Sequence, residues 1–245
     1  MTAPSARGAP PAREPVAEFA SLGVTAFTTT RVQGDFSLAA PELVDANAER
    51  WRALQRSLAP MSDGLVSARQ VHGTAIAEHT STAAGWLRLD GFDAHLMRAA
   101  KAAAAVTVAD CVPAFIAHPS GVVALVHAGW RGIAARLLGQ VVQRLVDGGL
   151  DAGDLRVHLG PAICGRCYEV GPDVYEQLTG WQTIRHRHVD LRALLVEQAR
   201  LAGVRHVSVT GHCTRCDNEL FFSHRAGDAG RQVSVIVSTT EVARN

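Results

Sequence analysis

Three short segments of this 245-residue chain each place a side chain able to bind a metal at the end of an apolar run. Gln70-Val71-His72-Gly73 follows one run, Ala109-Asp110-Cys111-Val112-Pro113 a second, and Val126-His127-Ala128-Gly129-Trp130-Arg131-Gly132 a third. Strand ends are where a sheet delivers side chains from distant parts of a chain to one cleft. Zinc favours imidazole and thiolate, and its catalytic sites keep three protein ligands with one open position. His72, Cys111 and His127 therefore form a candidate triad with room for a water, whose pKa zinc lowers toward neutrality. Asp110, beside Cys111, is a candidate to orient a ligand or take a proton. Arg131, close after His127, suits an anion. The same residues have a plainer reading. A single histidine at a strand end is commonly structural, and a cysteine in apolar surroundings is commonly an inert core residue. The separations are not those of a compact zinc finger, so spacing alone leaves both readings open.

The other four cysteines form two matched pairs, Cys164-x-x-Cys167 and Cys213-x-x-Cys216, each following a predicted strand end. Such pairs mark a structural zinc when they meet in space. Packing is the alternative for Cys167 and Cys213. Of the remaining histidines, His186 and His188 sit among arginines in a polar, solvated segment. His224 is balanced between lining a cleft and supporting one. Trp130 is expected to pack beneath the His127 turn, because a large ring after a glycine turn needs burial.

These side chains need elements to position them. Short strands are predicted at Val24–Thr28, Leu65–Val71, Thr74–Glu78, Ala94–Met97, Ala103–Ala109, Val122–Val126, Leu155–Leu159, His206–Val209 and Val233–Val237. Helices are predicted at Glu42–Leu58, Ile133–Val146 and Asp190–Ala202, the last stopped by Gly203. Pro113 forbids a regular helix through the second segment. The irregular alternation predicts an α+β fold with a mixed sheet rather than a doubly wound one. Residues 1 to about 16, rich in Pro, Ala and Arg, read as a flexible tail, and 17–245 as a single folded unit.

Composition limits the function. Apolar residues make up 47% of the chain, enough for a core. Basic and acidic residues number 24 and 23, so no basic surplus points to nucleic acid. No apolar run reaches bilayer length and the first residues lack a secretory h-region, so a cytoplasmic protein with no membrane partner is expected. In a reducing compartment the five cysteines read as metal ligands, thiols or core residues rather than disulfides.

Segments spread over nearly the whole chain after the tail resemble the YfiH/laccase-domain family, also described as multicopper polyphenol oxidase-like, purine nucleoside phosphorylase or peptidoglycan editing factor proteins. They are Thr29-Thr30-Arg31, the three segments above, Gly160-Pro161-Ala162-Ile163, Cys167-Tyr168-Glu169-Val170, Cys213-Thr214, Phe222-Ser223-His224-Arg225 and Gly230-Arg231-Gln232. The most specific is His127-Ala128-Gly129-Trp130-Arg131-Gly132.

The resemblance implies that His72, Cys111 and His127 bind zinc, copper being the other metal given for the family. It implies phosphorolysis of adenosine, inosine, guanosine and methylthioadenosine, and deamination of adenosine. Its partners are then a purine nucleoside and phosphate, in a monomer or weak homodimer. It also implies a layered mixed-sheet sandwich with flanking helices, similar to the cysteine hydrolase fold of a bacterial toxin's deamidase domain. The His-x-Glu and Pro-Cys-x-x-Cys signature of the familiar nucleoside deaminases is absent. Asp110 is then the nearest carboxylate for proton transfer, and Arg31, Arg131 and Arg225 are the candidates for phosphate. Tyr168-Glu169 is expected to lock a loop. Two other readings follow from the family: a copper-dependent polyphenol oxidase, for which one His2Cys site lacks the several coppers needed, and a non-catalytic peptidoglycan quality-control protein. One departure stands out. Where the family has Gly-Gly-Val-Ser and then Asn-Leu, this chain reads Val32-Gln33-Gly34-Asp35-Phe36-Ser37-Leu38-Ala39.

Overall fold

The structure is a computed structural model that describes residues 10–38 and 44–239. Two six-stranded mixed sheets stack face to face. The first runs, in spatial order, β1 (Arg13–Pro15), β2 (Val24–Thr29), β14 (Gln232–Ser238), β7 (Ala102–Val108), β3 (Gly64–Arg69) and β5 (Gly85–Asp90). The second runs β13 (His206–Val209), β10 (Arg156–Leu159), β8 (Val112–Ala117), β9 (Val123–Ala128), β6 (Ala94–Met97) and β4 (Ile76–His79). A small ribbon pairs β11 (Glu169–Val170) with β12 (Arg187–His188).

Strand alternation explains the layers, because successive side chains face opposite sides. In β7, Ala102, Ala104, Val106 and Val108 face the space between the sheets, while Ala103 and Ala105 face outward. In β9, Val123 and Leu125 face inward and Ala124 and Val126 outward. The outer face of the first sheet is covered by α1 (Val44–Leu58) through Trp51, Leu54 and Leu58, spaced at helical intervals. The Trp51 ring stacks on Trp86 of β5 at 5.1 Å and its Nε1–H donates to the Phe36 carbonyl at 3.0 Å. The outer face of the second sheet is covered by α3 (Leu137–Asp147) and α5 (Leu191–Leu201), with the short α2 (Trp130–Ala134) beside them. Each large apolar side chain buried this way contributes roughly 1.5–3 kcal/mol. The expected α+β class and the mixed-sheet layers are both present.

Several expectations change. The tail reading fails at its inner end: Arg13–Pro15 pairs antiparallel with β2 and Val16 is buried, while residues 1–9 lie outside the described residues. The helix expected over 133–146 is two helices, because Arg136 adopts a left-handed conformation (φ 58°) between α2 and α3. Glu42 lies outside the described residues. Strands β1, β5, β8 and helix α4 (Pro172–Thr179) were not anticipated. The proline that excludes a helix hides β8: Pro113 occupies a central strand, between β9 and β10. It lacks a donor, yet its carbonyl accepts Gly160 N–H at 2.9 Å.

Candidate metal centre and its cavity

The chain crosses from the first sheet to the second between β3 and β4, between β5 and β6, and between β7 and β8. Each crossing carries a site residue: His72, Asp93 and the Asp110-Cys111 pair, respectively. His127 joins them from the end of β9, on the same inward face as Val123 and Leu125. One edge of the sandwich thus collects the three candidate ligands. The ligand atoms of His72, Cys111 and His127 lie within 4.8 Å of one another. Cys111 Sγ is 3.8 Å from His72 Nε2, and the two imidazoles meet edge to face at 4.9 Å.

Two of these crossings are held in conformations that side-chain-bearing residues rarely adopt. His72 has φ 58° and Asp110 has φ 83°. Such geometry costs energy and persists where the surroundings over-determine it. Asp93 supplies that constraint at His72. Fully buried, its Oδ1 accepts His72 N–H at 3.0 Å and its Oδ2 accepts Gly73 N–H at 2.7 Å and Val71 N–H at 3.2 Å. Oδ1 also accepts from His127 Nδ1 at 2.8 Å, which leaves His127 Nε2 for the metal position. Burial pushes the Asp93 carboxyl up, but His127 and the amide donors outweigh it and its pKa is lowered.

Gly129 completes the cluster by lacking a side chain. A Cβ there stands 2.8 Å from His72 Cδ2 and 3.2 Å from Cys111 Sγ. The charges are coupled. Burial raises the Cys111 thiol, yet the His127 and His72 imidazoles hold it down at about 6. Burial lowers His127, yet the Cys111 thiolate and Asp93 carry it up to about 9. Each of the two groups therefore favours the charged form of the other.

The triad opens into a cavity of about 630 Å³. Arg69, Arg88, Arg131, Arg225 and Arg231 line it, against Asp110 as the only carboxylate among the described residues that line it. Arg69 is spent on Asp90 (Nη2 to Oδ2, 3.0 Å), and Arg231 on the carbonyls of Asp228, Ala229 and Gly230. Arg225 donates to the Glu169 carbonyl at 2.8 Å and lies over the Tyr168 ring. Arg131 rests on the Trp130 ring at 4.3 Å. Trp130 lines the cavity, only half buried. Tyr168 lines it too, its hydroxyl pushed up to about 12 by burial and by Cys111.

Asp110 sits in the wall with both oxygens committed. Oδ1 accepts from Thr214 Oγ1 at 2.6 Å and Oδ2 accepts Arg225 N–H at 2.7 Å. It ties the Thr214 and Arg225 loops to the residue before Cys111. Arg31 is not part of the cavity wall. Its guanidinium pairs with Asp228, donates from Nε to the Asn218 and Phe221 carbonyls at 2.6 and 3.1 Å, and stacks on Phe222. Sequence reasoning missed Asp93, Arg88 and Gln70. Gln70 continues the sheet with its side chain, accepting Thr107 N–H at 2.9 Å and donating to Thr107 O at 2.8 Å. The available signal for Asp93 was an acid immediately before an apolar strand.

The profile of the family described as multi-copper polyphenol oxidoreductase laccase matches residues 32–239. The chain belongs to this laccase-domain family. A curated relative named adenosine deaminase RL5, from an unknown prokaryotic organism, is 31% identical over 83% of this chain and 88% of its own length. A purine nucleoside phosphorylase of Deinococcus radiodurans is 34% identical over 77% of this chain and 76% of its own. Among solved structures, YlmD from Geobacillus stearothermophilus superposes with a TM-score of 0.76 at 29% identity, covering 88% of this chain and 92% of that one. YfiH from Bacillus licheniformis gives 0.80 at 24% identity over 93% and 96%, a likeness of fold. The two mixed sheets with a few helices are thus an architecture shared with the solved YlmD and YfiH structures. Among the described residues no helix is long and apolar enough to cross a membrane.

Proposed function

We propose that this chain is a zinc-dependent purine nucleoside phosphorylase, taking adenosine, inosine, guanosine and methylthioadenosine, with adenosine deaminase activity. The observation that carries the proposal is the convergence of His72, Cys111 and His127 on a cavity rimmed by arginine. Its volume of about 630 Å³ lies within the range of small-molecule sites. Two imidazoles and a thiol with a lowered pKa are a zinc donor set, and Asp93 gives His127 the carboxylate partner that zinc-binding histidines have. When bound there, zinc supplies Lewis acidity and an open coordination position.

The protein's own residues account for the rest. In phosphorolysis a phosphate oxygen bonds to C1′ as the C1′–N9 bond breaks, and the purine leaves with the electron pair and gains a proton. Arg131, whose guanidinium makes no hydrogen bond to the protein among the described residues, is placed to hold the phosphate; Arg88 and Arg225 add positive potential. Tyr168, neutral at pH 7, is a hydrogen-bond donor in the same wall. The half-buried Trp130 offers the apolar surface a purine needs. Asp110 acts by position, holding Thr214 and Arg225 beside Cys111. In deamination a water oxygen bonds to C6 of adenine, the C6–N6 bond breaks and ammonia leaves. Kinship with the toxin's cysteine hydrolase fold, a cytoplasmic location and a monomer or weak homodimer belong to the same reading.

Purified protein incubated with adenosine and phosphate is the test. Adenine plus ribose 1-phosphate, and inosine plus ammonia when phosphate is left out, are expected. Cys111→Ala removes both the metal of this centre and turnover; turnover that survives loss of that metal overturns the proposal. Oxidation of a phenol only with added copper would favour the oxidase reading that the family description carries. No turnover of either kind would favour a peptidoglycan-related binding role.

A further inference from the structure

A second cluster lies outside the cavity's metal centre. Strands β10 and β13 run parallel and in register from Arg156↔His206 to Leu159↔Val209. Beyond their ends the two segments stay joined: Thr210 N–H donates to Leu159 O at 3.0 Å, Ala162 bridges Cys213, and Thr214 N–H donates to Ala162 O at 3.2 Å. Each segment then turns through a Cys-x-x-Cys. Cys164 O accepts Cys167 N–H at 2.9 Å and Tyr168 N–H at 3.0 Å, and Cys213 O accepts Asp217 N–H at 2.8 Å. The parallel pairing is what brings pairs of thiols 49 residues apart to one place.

All four sulfurs lie within 4.8 Å of one another, with Cys167 and Cys216 Sγ 3.5 Å apart. A tetrahedral zinc with ~2.3 Å bonds separates its sulfurs by about 3.8 Å, so the cluster needs only sub-ångström adjustment to close on an ion. Cys213 Sγ accepts two backbone N–H groups, from Cys164 at 3.2 Å and Cys216 at 3.4 Å, and such donors favour a thiolate. Packing does not account for the group. Cys216 is exposed, Cys164 and Cys167 are half-buried, and only Cys213 is in the core. All four are free thiols.

We propose that Cys164, Cys167, Cys213 and Cys216 bind one structural zinc ion, separate from the His72–Cys111–His127 centre. Four thiolates close its coordination sphere, so it offers no open position for substrate. Uptake exchanges the thiol protons of the four cysteines for one Zn²⁺. The ion clamps a loop of the cavity wall to a loop that braces it. The first carries Ile163 and Tyr168. The second carries Thr214, whose hydroxyl holds Asp110 next to Cys111. Arg215 Nη1, donating to Cys167 O at 3.3 Å, already cross-links them and places positive charge beside a dianionic zinc–thiolate centre. This site stands independently of the nucleoside reading.

Metal analysis of the full chain, purified under reducing conditions without a histidine tag, tests it. Two zinc ions per chain are expected in the wild type. One is expected in His72→Ala and one in the Cys164→Ser/Cys216→Ser double variant. Loading His72→Ala with cobalt(II) gives the intense thiolate-to-metal charge-transfer absorption of an all-sulfur tetrahedral site. That measurement decides the matter even if the serine variant fails to fold. His72→Ala that takes up no metal while its four loop thiols react freely with a thiol reagent overturns the site. So does an intact mass two hydrogens lower for each of two pairs, which would show disulfides. Iron in place of zinc would overturn the assignment of the ion.

Discussion

Asp93 is the residue on which the triad's geometry turns. One carboxylate receives four donors: the His127 ring and three successive amides around His72. Asn has one acceptor oxygen and two N–H donors, so Asp93→Asn sets donor against donor in a buried place. An unsatisfied buried donor costs about 1–3 kcal/mol. Loss of a ligand's outer partner weakens metal binding by roughly 10–100-fold. Chelator competition on the purified variant is expected to show that loss together with a lower denaturant midpoint. Unchanged metal affinity would mean that His127 is oriented by its strand alone. Cys111 and the two histidines were legible because their residue types announce metal chemistry and each stands in a distinctive segment. Asp93 was not, because its meaning lies in partners 20 to 34 positions away that no local pattern links to it.

Among the elements, the ones with self-sufficient patterns were legible. β9 is a run of β-branched and apolar residues, and α5 is bounded by Asp190, whose side chain caps Arg192 and Ala193 N–H at 3.0 and 3.2 Å, and by the turn at Gly203. Those that depend on neighbours were missed. β8 contains a proline, which argues against a central strand, yet Pro113 stands second in one that is flanked by β9 and β10, and β5 draws its support from Trp51 of α1. The break between α2 and α3 was invisible for the same reason: Arg136 carries no mark of its left-handed backbone. Glycine reaches that conformation freely, whereas other residues pay about 1–2 kcal/mol for it. After the entropy glycine loses on folding, Arg136→Gly is expected to raise stability by about 0.5–1 kcal/mol, while Arg136→Ala gives no gain. Urea midpoints of the two variants measure the difference; equal midpoints would show that α3 relaxes without cost.

Across the whole molecule, distant ends of the chain are fastened to the site by charge. Asp228 binds Arg31, accepts Asn218 Nδ2–H at 2.7 Å and Ser223 N–H at 2.8 Å, and so ties the start of the fold to the loop that carries Arg225. The Arg31 guanidinium and these donors hold its carboxyl at about 2, below the ordinary 3.8. A depressed acid stabilises the fold above its unfolded pKa, and that contribution fades as pH falls through the folded value. Stability is therefore expected to drop between pH 4 and 2, and Asp228→Asn to flatten that part of the profile. Denaturant melts of both proteins across that range decide; parallel profiles would remove Asp228 from the acid response. The α+β class with a mixed sheet was readable from the irregular alternation of strands and helices. The stacking of one sheet on the other, which makes three crossings share an edge, was not, because no residue encodes it alone.

That shared edge has a bearing on how firmly the three candidate ligands are held. The imidazole-bearing segments are anchored by protein donors and acceptors, and Gly129 keeps the space between them clear. The fold's own hydrogen bonds and packing thus fix where the three side chains stand. An ion bound as proposed would meet ligands already oriented, so little side-chain freedom would be lost on binding.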